Sequence, residues 1–281
     1  MKKRNNKISG FSIIILTVLA GLLVVLFFLP KITTEPLLYG KTVTPSPVAK
    51  TDLAQLNWPK DQQINPKILM YHHIGALPSD ADDIRKGLTV SADNFEAGLK
   101  TLRDGNYTVV TLQKMYEMVA QGEDVSKIVV LTFDDGYDDN YVHGLPALQK
   151  YGFTGTFFII SDKIGQAEYL SEGQIKELLL AGNEIGSHSV SHPDLATAPL
   201  TKVASEVEKS KSDLESLFGQ KIVSFCYPAG RFSTDVEREI ESAGYKIAVT
   251  TQKGQAFSTN NPFEIPRYRI NPTTDLSSII K

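Results

Sequence analysis

Residues 127–136 read KIVVLTFDDG. From Ile128 to Phe133 the apolar side chains run on without alternating, as in a strand buried on both faces of a helix-covered parallel sheet. The run stops at Asp134-Asp135-Gly136. Two adjacent carboxylates at the end of a buried strand repel each other and cost desolvation. In a regular strand they would point to opposite faces, and Gly136 permits a turn that aims both at one site. The alternative is a solvated turn in which Asp135 or Asp138 caps the next helix.

The same alternation of elements continues on either side. Residues 68–71 (ILMY) form a short apolar run, and Ser91 can cap a helix carrying Phe95, Leu99 and Leu102 that ends near Gly105. Residues 107–111 are β-rich and 112–120 have helical spacing. Further on, strands are expected at 154–160 (TGTFFII), 184–186, 222–227 and 245–250. Helices are expected between them at 145–151, 171–181, 200–218 and 234–243. About seven strands alternating with helices predict an α/β fold, a distorted or incomplete (β/α) barrel. No glycine-rich dinucleotide fingerprint marks the crevice of an open sheet, so no nucleotide cofactor is expected. In such barrels the chemistry sits at the C-terminal ends of the strands, where the polar clusters of this sequence gather.

The chain has 281 residues, 42% hydrophobic and 22% charged, with a net charge of −3 and one cysteine, Cys226. That excludes an internal disulfide framework and a Cys-rich metal site and offers no electrostatic grip on nucleic acid; Cys226 reads as buried packing. There is no internal repeat. The charge is uneven: residues 1–29 hold Lys2, Lys3, Arg4 and Lys7 but no acid. Residues 8–29 are uncharged, and over 11–29 only Ser12 and Thr17 are polar. At a rise of about 1.5 Å per residue, the 11–29 core spans about 28 Å, close to a bilayer's hydrocarbon thickness. A cytoplasmic basic segment (1–7), a single-pass membrane anchor (8–29) and an extracellular remainder are therefore expected. Phe27-Phe28-Leu29-Pro30-Lys31 is a poor cleavage site, which argues against a secreted product. Residues 30–66 hold six of the fourteen prolines and read as a tether, leaving 67–281 as the folded domain.

Two histidine clusters accompany the carboxylates. In residues 187–193 (SHSVSHP), His188 and His192 lie four apart after a strand. If the segment turns helically, both face one way and can hold one metal, a carboxylate from another strand end completing the set. Surface histidines are the alternative. At Tyr71-His72-His73, strand geometry allows only one histidine to face inward.

With TFDDG at 132–136 and HSVSH at 188–192, the chain resembles the polysaccharide deacetylases of the NodB-homology type, carbohydrate esterase family 4, over residues 67–281. The resemblance implies Asp134 as catalytic base and Asp135, His188 and His192 as ligands of one divalent metal, usually zinc, with cobalt, nickel or manganese as alternatives. Two departures stand out. Cys226-Tyr227-Pro228-Ala229 occupies the place of the family's Arg-x-Pro-Tyr, and no histidine follows His192 to supply the usual acid. Both losses, with Tyr71-His72-His73, residues 90–95 and Ile265-Pro266-Arg267, resemble the poly-N-acetylglucosamine deacetylase branch, in which an N-terminal histidine is the acid. His72 matches that pattern better than His73. Arg267 is the candidate to orient Asp134, with Arg269 and Arg231 behind it. The Ala229 backbone N–H, with Tyr227 beside it, is the candidate substrate and oxyanion contact.

The implied reaction is metal-dependent removal of N-acetyl groups from a cell-surface N-acetylglucosamine polymer. Peptidoglycan deacetylation, O-acetyl cleavage on xylan and a catalytically silent glycan-binding protein remain open at this point. A glycosidase built on Asp134 and Asp135 is disfavoured, because its carboxylates must stand about 5–10 Å apart across a sugar.

Overall fold

The computed structural model describes Leu53 and residues 56–280. Eight strands carry the fold: β1 Lys67–Tyr71, β2 Thr108–Val110, β3 Ile128–Phe133, β4 Thr156–Ile159, β5 Glu184–Ser187, β6 Ser224–Cys226, β7 Ile247–Lys253 and β8 Ile265–Arg269. All their pairings are parallel, and the run β3-β4-β5-β6-β7-β8-β1 closes on itself through β1 and β3. The barrel is thus closed, with seven strands in chain order. Around it lie α1 Asp83–Leu88, α2 Ala92–Asp104, α3 Leu112–Ala120, α4 Leu145–Tyr151, α5 Glu172–Leu180, α6 Leu200–Phe218 and α7 Thr234–Ser242.

One expected barrel strand is displaced. β2 pairs with residues 128–130 of β3 and β4 with residues 132–133, so the two share one edge and β2 is a spur below β4. The seventh barrel strand is instead β8, which the sequence hides behind Pro266. Proline removes a ladder donor and is confined to edges and irregularities. Here it falls where the β7–β8 register shifts, between the Val249–Ile265 and Lys253–Arg267 pairs, so the missing N–H costs no regular ladder bond.

The two faces of each strand feed two cores. Ile68, Val130, Phe158, Cys226, Ile247, Val249 and Ile265 point inward and join Leu112, Met115 and Tyr116 of α3. Leu69, Val129, Leu131, Phe157, Ile185, Phe225 and Ala248 point outward against Leu99, Leu148, Leu178, Val207 and Ile240 of the helices. This period-two division places the site, because each inward row continues past its strand end.

The folded domain begins ahead of Lys67, correcting the expected boundary. Trp58 stacks on Tyr116 at 4.9 Å and donates its indole N–H to the Thr259 carbonyl at 2.6 Å. Gln63–Ile64 pairs antiparallel with Phe257–Ser258. The expected anchor at 8–29 and the first part of the tether lie outside the described residues. Among the described residues no helix is long and apolar enough to cross a membrane.

Candidate active site

The inward row of β3 runs Val130, Thr132, Asp134, and that of β8 runs Ile265, Arg267. The two meet at the C-terminal mouth of the barrel. Arg267 donates from Nη1 to Asp134 Oδ1 at 2.7 Å and from Nη2 to Oδ2 at 2.8 Å. Its other donors go to Thr132 Oγ1 (2.9 Å), the Thr250 carbonyl (2.9 Å) and Cys226 Sγ (3.2 Å). Asp134 is 2% exposed and Arg267 1%. Burial alone would raise the Asp134 pKa, but the guanidinium outweighs it and holds the carboxyl well below the usual range. The pair is therefore ionised. A bidentate fork also fixes the carboxylate plane, which a lysine could not do. Of the three candidate arginines, Arg231 pairs with Asp194 instead, at 3.1 Å.

Asp135 turns where the strand ends. Its φ is +71° and that of Gly136 is +77°, so two consecutive left-handed residues swing the second carboxylate toward β5. Asp135 Oδ1 lies 3.3 Å from His188 Nε2 and 3.6 Å from His192 Nε2. The histidine segment is not helical as expected. It is an irregular loop with positive φ at Ser189 (+64°) and His192 (+58°), and the His192 N–H donates to Ser189 Oγ at 2.9 Å. His188 Nδ1 shares a hydrogen bond with the Cys226 carbonyl at 2.7 Å, leaving Nε2 for the site. Burial works against ionised Asp135, but the hydrogen bond and charge of His188 keep its pKa below the ordinary value. Burial and then the neighbouring His188 lower the His192 pKa.

The ligand atoms of Asp135, His188 and His192 all lie within 4.8 Å of one another, a donor set that fits one divalent cation with room for further ligands. Cys226, His188 and Asp134 form an overlapping group. There the thiol is the weaker donor, since burial pushes its pKa up and keeps it protonated.

His72 faces inward and His73 does not. His72 Nε2 is 4.0 Å from Asp134 Oδ2, and its main-chain carbonyl accepts from Asn140 Nδ2 at 2.7 Å. Burial lowers the His72 pKa against the pull of Asp134 and Asp135. His73 instead bonds Asp139 Oδ2 through Nδ1 at 2.8 Å and stacks on Tyr137 at 3.6 Å.

Tyr227 is a correction. Strand alternation turns Cys226 inward and Tyr227 outward, where its ring stacks on Phe232 at 4.5 Å within the outer core, away from the site. Ala229 is exposed at the same strand end with φ +55°, and its N–H donates to no group among the described residues.

Three further residues support the site. Thr132 and Cys226 steady Arg267, and Asn140 holds the His72 main chain. The inward position of Thr132 and Cys226 was legible from strand alternation; nothing local marked Asn140.

Comparison with known proteins agrees with this geometry. A family model described as polysaccharide deacetylase matches residues 121–248. YxkH of Bacillus subtilis, whose name assigns it to the polysaccharide deacetylases, is 35% identical over 206 residues, covering 73% of this chain and 71% of the relative. The peptidoglycan-N-acetylmuramic acid deacetylase PdaA of B. subtilis is 28% identical over 55% of this chain and 62% of its own length. The poly-β-1,6-N-acetyl-D-glucosamine N-deacetylase of Staphylococcus aureus is 24% identical, over 66% and 69%. The solved Streptococcus pyogenes deacetylase PplD, in complex with acetate, superposes with a TM-score of 0.72 at 29% identity, over 78% of this chain and 98% of PplD. The chain belongs to the polysaccharide deacetylase family of NodB type, carbohydrate esterase family 4. It is a hydrolase acting on the amide bonds of acetylated polysaccharide.

Proposed function

We propose that this protein is a metal-dependent N-deacetylase of an N-acetylglucosamine polymer, of the poly-N-acetylglucosamine type. One observation carries the reading: an inward N-terminal histidine, His72, stands 4.0 Å from a carboxylate that Arg267 holds by both oxygens. These are the two roles that this chain fills away from the family's usual motifs, and the resemblance to the poly-N-acetylglucosamine branch supplies them from these positions.

Asp135, His188 and His192 would hold the cation, most simply zinc. Bound there, it supplies a Lewis acid for the acetyl carbonyl and lowers the pKa of a water. Asp134, kept ionised by Arg267, accepts the proton of the attacking water. It holds that proton weakly and passes it to the neutral His72, whose Nε2 is 4.0 Å away, and the imidazolium so formed gives it to the leaving amine. The N–H of Ala229, a residue exposed at the same strand end, is the donor to the oxyanion that develops on the acetyl carbonyl oxygen.

PdaA's similarity favours a second substrate, the muramic acid residues of peptidoglycan. Acetate release from poly-N-acetylglucosamine, peptidoglycan and acetylxylan, each with and without a chelator, separates the readings. Chelator-sensitive release from the first polymer is expected. Preferential release from peptidoglycan or xylan would move the substrate assignment, and release that ignores the chelator would end the metal assignment.

A further inference from the structure

α6 turns Val203, Val207, Ser210 and Leu214 toward the core at helical spacing, and Glu206 falls inside that buried face with 1% of its surface exposed. A carboxylate on such a face is costly unless its oxygens are fully hydrogen-bonded. Three of its contacts come from the loop between the two site histidines. Oε2 accepts from the backbone N–H groups of Val190 (2.9 Å) and Ser191 (2.8 Å), and Oε1 accepts from the Ser191 hydroxyl (2.7 Å). Lys202 Nζ, one turn earlier on α6, completes the set 2.5 Å from Oε1.

The loop so gripped is strained. Ser189 and His192 both carry positive φ without being glycine, a conformation that persists only where surrounding contacts impose it. Ser189 and His192 flank the two N–H groups that Glu206 collects. Both backbone N–H groups share one oxygen, so a glutamine could keep them, but its NH₂ would then replace Oε1 and face the Lys202 ammonium, which cannot accept.

We infer that Glu206 is a positioning residue for the two site histidines: by collecting the Val190 and Ser191 N–H groups from the adjacent helix, it holds the strained loop in which His188 Nε2 and His192 Nε2 converge on Asp135. The bonds of Glu206 go to Val190, Ser191 and Lys202 and to none of Asp135, His188 and His192, so its effect on the cation passes through the loop. The inference rests on the metal assignment proposed above.

The test uses the full chain stripped of metal, as wild type, Glu206→Gln and Glu206→Ala. Zinc affinity is read by competition with a chromophoric chelator and ligand geometry by the visible absorption of added Co²⁺, alongside circular dichroism melts. Glu206→Ala should lose roughly 10–100-fold in zinc affinity, the range typical of residues that orient metal ligands, and change the Co²⁺ bands. Glu206→Gln keeps one acceptor oxygen and should fall between. Both should still unfold cooperatively; if the alanine chain does not fold, Glu206→Met, which keeps most of the side chain's volume without an acceptor, decides by the same readouts. A folded Glu206→Ala or Glu206→Met chain with wild-type zinc affinity and Co²⁺ spectrum overturns the inference while leaving the metal assignment standing. A wild-type chain that takes up neither ion overturns both.

Discussion

Asp134 and Asp135 are neighbours in sequence, yet they serve different partners. The inward row of β3 delivers the first to Arg267, and the left-handed turn delivers the second to His188 and His192. The two should therefore separate by mutation. Asp134→Asn preserves shape but cannot accept a proton, so deacetylation should fall about 10²–10⁴-fold with metal content unchanged, measured by acetate release and elemental analysis. Near-normal turnover would assign the base elsewhere. His72→Ala should cost a similar factor on an amide substrate but far less on an activated acetyl ester, whose leaving group needs little protonation. His73→Ala should instead lower the melting temperature, because His73 is buried, stacked on Tyr137 and bonded to Asp139. An amide-selective defect in His73→Ala would reverse the assignment.

At the scale of elements, the barrel's two ends are built differently. The C-terminal mouth carries the paired charges, while the opposite end is tied by one carboxylate at the start of β5. Glu184 accepts from the Gln113 N–H (2.8 Å), the Thr156 hydroxyl (2.9 Å) and the Ser224 hydroxyl (2.6 Å), joining α3, β4 and β6. Burial raises its pKa above the ordinary 4.5 despite these bonds. A raised folded-state value contributes stability that is complete below the unfolded pKa and is lost as pH rises through the folded one. Glu184→Gln abolishes that titration. The wild-type melting temperature relative to the variant should thus decline as pH rises from about 4.5 and then level off, as read by thermal melts across pH. A difference that stays constant with pH would show that Glu184 titrates alike folded and unfolded. Pro266 hides β8 as a strand in the sequence, and the shifted register against β7 accommodates it.

For the whole molecule, the domain's lower edge is closed by residues ahead of β1. Trp58 covers Tyr116 and ties to Thr259, so Trp58→Ala should destabilise the domain by about 1–3 kcal/mol, read from the denaturant midpoint. No change would make the 56–66 segment a tether after all. Farther upstream, the uncharged residues 8–29 behind a basic cluster are proposed as a membrane anchor with the barrel outside. Protease added to intact cells should then remove the domain, whereas protection until the cells are broken would reverse the topology.

The sequence by itself determined what is local. A continuous apolar run marked β3, strand–helix alternation marked the barrel, and TFDDG and HSVSH marked the ends of two strands, because each pattern spans a few residues whose geometry the backbone dictates. The inward direction of His72 over His73 could not be read from Tyr71-His72-His73 alone, since a shift of one residue exchanges the faces. Only the tertiary structure decided which arginine meets Asp134, which expected strand leaves the barrel, that Tyr227 turns outward, and that Glu206 shapes the histidine loop. Asp134 and Arg267 lie 133 residues apart, and nothing in either segment specifies the other. Their distance is set when β1 pairs with both β3 and β8, closing the barrel and bringing the inward rows of all seven strands to one mouth.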